Sequence, residues 1–209
     1  MNLPTALTVS RIAVTPLIAV LPFANSWTLR LLAFVLFVLA AVTDYIDGHL
    51  ARSRKQETDL GRLLDPLADK LLLLGTFVPM YLLAPRFPFI TPIGSVGLAW
   101  WVIAIVLGRE LFMTIFRQAA ARRGVVIAAI GPAKWKTAFQ SLWVGSAFFW
   151  FFARTFASEH NWNSTSWHAF ELFNGTVGAL AMMTAVVLTL YSVWLYVRQY
   201  GSVFASQPH

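Results

Sequence analysis

The charge-free run Leu31-Leu32-Ala33-Phe34-Val35-Leu36-Phe37-Val38-Leu39-Ala40-Ala41-Val42-Thr43 leads straight into Asp44-Tyr45-Ile46-Asp47-Gly48-His49-Leu50-Ala51-Arg52. Eight residues later Gly61-Arg62-Leu63-Leu64-Asp65-Pro66-Leu67-Ala68-Asp69-Lys70 leads back into the apolar run 71–85. Two membrane-length helices joined by a polar turn, with carboxylates on the inner ends of both, is the reading this pattern imposes. At about 100° per residue, Asp44, Asp47, Gly48 and Ala51 share one helix face, as do Gly61, Asp65 and Asp69 on the next helix. Gly48 and Ala51 remove bulk from that face and admit a ligand or another backbone.

The rest of the chain extends the same theme. Of 209 residues 58% are apolar and only 12% are Asp, Glu, Lys or Arg. At roughly 20 apolar residues per crossing, this suggests about six spans and little else. A soluble globular enzyme and a disordered chain are excluded, and with no cysteine so is a disulfide scaffold. Spans are expected near 8–25, 30–50, 62–84, 92–117, 133–154 and 170–198, with no strand-type alternation between them. The fold class is thus an all-α integral membrane protein: one domain, 1–209, of six transmembrane helices behind a short N-terminal interfacial segment. That segment follows a turn at Asn2-Leu3-Pro4-Thr5 and holds Arg11 near the head groups. The opening lacks the basic region and small-residue cleavage site of a secretory signal peptide. Trp27, Trp162 and Trp167 suit an outer aromatic belt.

Six spans place both termini on one side. Thirteen basic residues fall on that side, and three, Arg30, Arg86 and Arg154, on the other. The positive-inside rule then puts both termini and both basic loops in the cytoplasm. This accounts for most of the net charge of +7, so no nucleic-acid partner is expected.

Asp44, Asp47, Asp65 and Asp69 at a membrane edge repel one another unless cations neutralise them. Their oxygen-only chemistry selects hard divalent ions, Mg²⁺ or Mn²⁺. Two such ions about 3.5–4 Å apart form the clamp of many phosphoryl-transfer enzymes. The competing reading is an interfacial salt-bridge network with Arg52, Arg62 and Lys70. Four carboxylates on two facing stripes, with small residues between them, favour the metal site.

The spacing D-x2-D-G-x2-A-R-x8-G-x3-D-x3-D, met in full by Asp44 to Asp69, resembles the signature of the CDP-alcohol phosphotransferases. Other segments look most like the branch of that family that makes phosphatidylglycerophosphate. They are Asn2-Leu3-Pro4, Leu7-Thr8, Arg11, Gly108-Arg109-Glu110-Leu111, Arg117, Ala120, Arg123-Gly124-Val125-Val126, Lys134, Lys136-Thr137 and Gln140. Thr5 stands where that branch usually has Asn, and Pro132-Ala133 interrupts its usual Gly-Lys. Beyond Gln140 the resemblance rests on hydropathy.

The resemblance implies that Asp44, Asp47 and Asp65 bind two divalent cations, and that Asp69 both completes the metal site and deprotonates the acceptor alcohol, directly or through a water relay. It implies that Asp44, Gly48, Ala51, Arg52 and Gly61 receive the CDP group, Arg52 as a planar fork for the diphosphate. His49 occupies a variable position and reads as a packing or solvated residue. The acceptor carries its own phosphate, for which Arg109, Arg117, Lys134 and Lys136 are the candidates. Arg109 lies deep for an arginine in a membrane helix. Glu110 and Arg117 share one stripe, so a structural Glu110–arginine pair competes with a binding role for one arginine. Arg122 and Arg123 suit anionic lipid. The implied reaction moves the phosphatidyl group of CDP-diacylglycerol to the sn-1 hydroxyl of glycerol 3-phosphate, by in-line displacement at the cytoplasmic face of the inner membrane. A homodimer is expected from the same resemblance, and Gly175 with Gly178 would permit close helix contact. The rival readings are another enzyme of this chemistry (CDP-type cardiolipin, serine or inositol-phosphate) and a divalent-cation transporter.

Overall fold

The computed structural model describes the backbone of residues 3–54, 59–128 and 131–201, and the side chains of those stretches except 3–4, 45–54, 59–60, 62–63 and 132–134. Six long helices carry most of it: α1 (Leu3–Val20), α2 (Trp27–Arg54), α3 (Asp59–Leu83), α4 (Trp100–Arg122), α5 (Gly131–Glu159) and α6 (Thr165–Tyr200). Strands β1 (Phe89–Thr91) and β2 (Gly94–Val96) form a hairpin between α3 and α4.

Among the described residues four helices are long and apolar enough to cross a membrane, within Thr5–Phe23, Trp27–Asp44, Leu64–Leu83 and Thr165–Tyr200. The two remaining helices have 23 and 29 residues. Length does not separate them from the other four; charge contributes, since α4 carries Arg109, Glu110, Arg117 and Arg122.

Two expectations are corrected here. Among the described residues no separate interfacial segment precedes the first long helix: α1 runs unbroken from Leu3. Pro4 falls in its first turn, where a missing N–H leaves no helical bond unmade. The second correction concerns residues 89–96, part of which was expected to open the fourth span. They form an antiparallel pair in the register Phe89↔Val96, Ile90↔Ser95 and Thr91↔Gly94. Pro92 and Ile93 make the turn, and Gly94 closes it at φ +122°, a conformation that suits glycine. The Thr91 hydroxyl donates to the Gly94 carbonyl at 2.6 Å. An apolar stretch this short is strand or helix on hydropathy alone, and the Pro-x-Gly turn decides it.

Contacts divide the chain into two compact units, Met1–Gly97 with Val144–Thr176, and Leu98–Trp143 with Val177–His209. In the first, α1 packs against both α2 and α3. Gly75 allows the α1–α3 approach, since a Cβ there would come within 2.8 Å of Thr15 Cγ2. Phe37 stacks on Phe148, and Phe87 meets Phe151 edge-on. Trp150 lies parallel to Trp167 and donates its indole N–H to the Pro88 carbonyl at 3.0 Å. Arg30 is buried: it donates to the Pro22 carbonyl at 3.0 Å and to the Thr155 hydroxyl, with its guanidinium over the Phe87 ring. Gly175 lies against β1, where a Cβ would overlap the Ile90 carbonyl. That glycine therefore serves a contact within the chain.

In the second unit α4 ends in a glycine cap. Gly124 adopts φ +76°, its N–H reaches the Ala121 carbonyl at 3.0 Å, and the Val125 N–H reaches the Ala120 carbonyl at 3.0 Å. This pair of bonds satisfies the last helical carbonyls and turns the chain out of the helix.

Candidate active site

Helix α1 carries Thr5, Thr8, Arg11 and Thr15 at spacings of three, three and four residues, which places them on one face. All four are buried, although the rest of the helix is largely apolar. A buried polar stripe must find partners, and two members find them among the carboxylates. The Thr8 hydroxyl donates to Asp65 Oδ1 on α3 at 2.6 Å. Arg11 Nη1 pairs with Asp44 Oδ1 on α2 at 2.5 Å and with Asp69 Oδ1 on α3 at 3.4 Å.

Arg11 is 2% exposed and bridges the acidic residues of two helices. The physical reason is charge: carboxylates at the ends of apolar helices draw in the nearest buried cation, and α1 is the neighbour that both helices share. The structure thus gathers Asp44, Asp65 and Asp69 around two residues of α1. Gly61 is buried near the start of α3. The side chains of Asp47, His49, Ala51 and Arg52, and the surroundings of Gly48, lie outside the described residues.

The donor set is carboxylate oxygen on Asp44, half exposed, and on Asp65 and Asp69, both exposed. Oxygen donors open to solvent, each already oriented from one side by α1, fit a hard divalent cation. Among the described residues no three acidic, histidine or cysteine side chains converge into a ready-made metal cage. The fit therefore rests on donor chemistry, with Arg11 supplying positive charge to the set.

A second polar cluster lies within the other unit. Glu110 Oε1 accepts from Arg109 Nη1 at 3.0 Å and from Lys136 Nζ, and Arg109 Nη2 reaches Ser192 Oγ on α6 at 3.4 Å. The side chains of Arg109 and Lys136 are 9% and 6% exposed, and that of Glu110 is 30% exposed. Arg109 Nε is buried with no hydrogen-bond partner among the described residues. Two unit charges about 5 Å apart repel by about 3 kcal/mol at an effective dielectric constant of about 20, so the shared carboxylate is what keeps the two cations together. The stripe geometry pointed to Arg117 as a partner for Glu110. Arg117 is exposed and lies over the Tyr196 ring at 5.9 Å instead. The Lys134 side chain lies outside the described residues.

Thr8, Arg11 and Ser192 are the polar contacts that motif reading did not place in a site. For Thr8 and Arg11 a signal was present, the threonine–arginine stripe on α1. Ser192, in the middle of an apolar helix, offered none.

The model of the CDP-alcohol phosphatidyltransferase family matches residues 1–203, which include both clusters. The chain belongs to this family. It is similar to the CDP-diacylglycerol–glycerol-3-phosphate 3-phosphatidyltransferase of Bacillus subtilis strain 168, with 30% identity over 209 residues covering 93% of each chain. The protein of that name in Pectobacterium atrosepticum is 30% identical over 207 residues, covering 94% of this chain and 93% of its own. The Arabidopsis thaliana chloroplastic/mitochondrial enzyme 1 of that name is 33% identical over 148 residues, covering 67% of this chain. The match spans 48% of that plant relative's length and 61% of a second Arabidopsis relative's. Family members generally use divalent metal ions, in keeping with the oxygen donors found here. With four helices able to cross a bilayer, this member is a membrane protein.

Proposed function

We propose that the protein transfers the phosphatidyl group of CDP-diacylglycerol to glycerol 3-phosphate, yielding phosphatidylglycerophosphate and CMP. One observation carries the reading: α1 contacts three carboxylates of the family motif from two helices, Asp65 through Thr8 and both Asp44 and Asp69 through Arg11. Relatives matched over 93% of their own length carry this activity in their names.

In this reading Asp44, Asp47, Asp65 and Asp69 hold two divalent cations, Mg²⁺ or Mn²⁺. Bound there, the ions screen the diphosphate and stabilise the charge that develops on the leaving oxygen. Gly48, Ala51 and Gly61 leave room for the CDP group, and Arg52 forks onto its diphosphate. Arg109, Arg117, Lys134 and Lys136 bind the acceptor's phosphate. Arg109 carries most of that claim, because its buried Nε lacks a protein acceptor. Asp69, directly or through one water, takes the proton of the sn-1 hydroxyl. That oxygen forms a bond to the lipid-side phosphorus, the bond from this phosphorus to the bridging oxygen breaks, and CMP leaves with the electron pair. Direct displacement needs no covalent intermediate on the enzyme.

The same reading takes residues 1–209 as one catalytic domain with six spans. Both termini and the carboxylates face the cytoplasm of the inner membrane, and the protein acts as a homodimer. A membrane assay offering radiolabelled glycerol 3-phosphate, serine, inositol phosphate and phosphatidylglycerol, each with CDP-diacylglycerol, tests the activity. Label from glycerol 3-phosphate is expected in lipid. Sole use of another acceptor, or divalent-cation uptake by liposomes without lipid turnover, overturns the assignment.

A further inference from the structure

We propose that Glu110 is a positioning residue, locking Arg109 and Lys136 into a two-cation clamp for the acceptor's phosphate. The inference rests on the reading above, in which Arg109 binds that phosphate. A purely structural ion pair balances one cation against one carboxylate. Here a single oxygen, Glu110 Oε1, accepts from a cation of its own helix and from one on α5. Arg109 and Lys136 thus share one carboxylate oxygen among apolar helices, a site that favours an anionic ligand.

Three further observations point to an anionic occupant. Both cationic stems are held by burial, and Ser192 backs Arg109 from α6. A guanidinium has five N–H groups, and the protein bonds of Arg109 use two, to Glu110 and Ser192. Its Nε is buried and unpartnered, a state that a phosphate oxygen would relieve. One turn beyond Lys136 on α5, the buried Gln140 Oε1 also lacks a donor. An acceptor with a phosphate at one end and hydroxyl donors at the other supplies what both groups lack. Glu110 fixes the two cation heads at one oxygen before the phosphate arrives, so that less ordering is left for the binding step.

The test uses the full chain in lipid–detergent micelles and the variants Glu110→Ala, Glu110→Gln and Arg109→Ala. KM is measured for glycerol 3-phosphate and for CDP-diacylglycerol, together with the inhibition constant of inorganic phosphate. Glu110→Ala is expected to raise the glycerol 3-phosphate KM and the phosphate inhibition constant in parallel by about tenfold or more, since bonds between charged partners are lost. The CDP-lipid KM should stay within about twofold, because uniform binding is lost for one substrate alone. Glu110→Gln keeps an oxygen acceptor and should give a smaller rise of about three- to fivefold. A glycerol 3-phosphate KM within about twofold of the parent in Glu110→Ala, or equal effects on both substrates, overturns the inference. If the alanine variant does not fold, the glutamine variant decides by the same criterion. A change in Arg109→Ala without one in the Glu110 variants sinks only the positioning role. No change in Arg109→Ala sinks the phosphate-site reading, and the positioning role with it.

Discussion

Replacing Thr8 with valine removes one hydroxyl and keeps the side-chain shape. The lost bond is the 2.6 Å donation to Asp65 Oδ1 from a residue that is 2% exposed. A hydrogen bond to a charged acceptor contributes about 1.5–3 kcal/mol. Asp65 itself is exposed, so water replaces part of the bond and the effect belongs near the lower end of that range. At about 1.4 kcal/mol per factor of ten, divalent-cation affinity should fall about tenfold, within the range seen when a residue that orients a metal ligand is lost. The measurement is Mn²⁺ binding to the purified protein, read as free Mn²⁺ by electron paramagnetic resonance, alongside the Mg²⁺ concentration giving half-maximal turnover. Thr8→Ser keeps the donor and should bind like the parent. If Thr8→Val binds Mn²⁺ within about twofold of the parent while Asp65→Asn abolishes binding, the reasoning about Thr8 fails. If Asp65→Asn also binds normally, Asp65 is not a metal ligand.

Asp65→Asn should reduce turnover below about 1% of the parent with the circular dichroism spectrum unchanged, and near-normal activity would remove its metal role. Arg109→Ala should raise KM for glycerol 3-phosphate about tenfold or more and leave that for CDP-diacylglycerol nearly unchanged. Gly175→Ala forces a methyl group into the Ile90 carbonyl and should destabilise the fold by about 1–3 kcal/mol, read as a lowered thermal midpoint. Gly97→Ala, where a Cβ meets nothing within 4 Å, serves as its control.

The helical bodies were legible because long helices in this chain are marked by uninterrupted apolar length. The stretches expected near 30–50, 62–84, 133–154 and 170–198 correspond to α2, α3, α5 and α6, with ends displaced by five residues or fewer. The β-hairpin at 89–96 was hidden because Phe89, Ile90 and Val96 are as apolar as a span, and only Pro92 and Gly94 mark the turn. The acidic residues were legible as a set. What brings them together was not, because helix neighbours are settled by tertiary packing and the motif says nothing of α1. Glu110 shows the same limit: its stripe partner Arg117 was the local candidate, yet long side chains let Arg109 reach it from the adjacent position and Lys136 from another helix.

Burial also changes how the charges of this chain should be counted. Thirteen basic residues on the side of the termini, against three on the other, suggested the orientation. Arg11, Lys136 and nearly all of the Arg109 side chain are withdrawn from the surface and committed to carboxylates, so they serve the sites rather than the topology. On the opposite side Arg30 is likewise buried, held by the Pro22 carbonyl and the Thr155 hydroxyl. Discounting these four leaves ten against two. The asymmetry that favours cytoplasmic termini therefore survives removal of these four withdrawn cations. Changing Arg122 and Arg123 together to glutamine should leave the orientation intact, because eight against two is still a strong bias. Cysteine-accessibility labelling at positions placed after Gly201 reads the result: labelling from the outer face, in the parent or the double variant, would refute the proposed orientation.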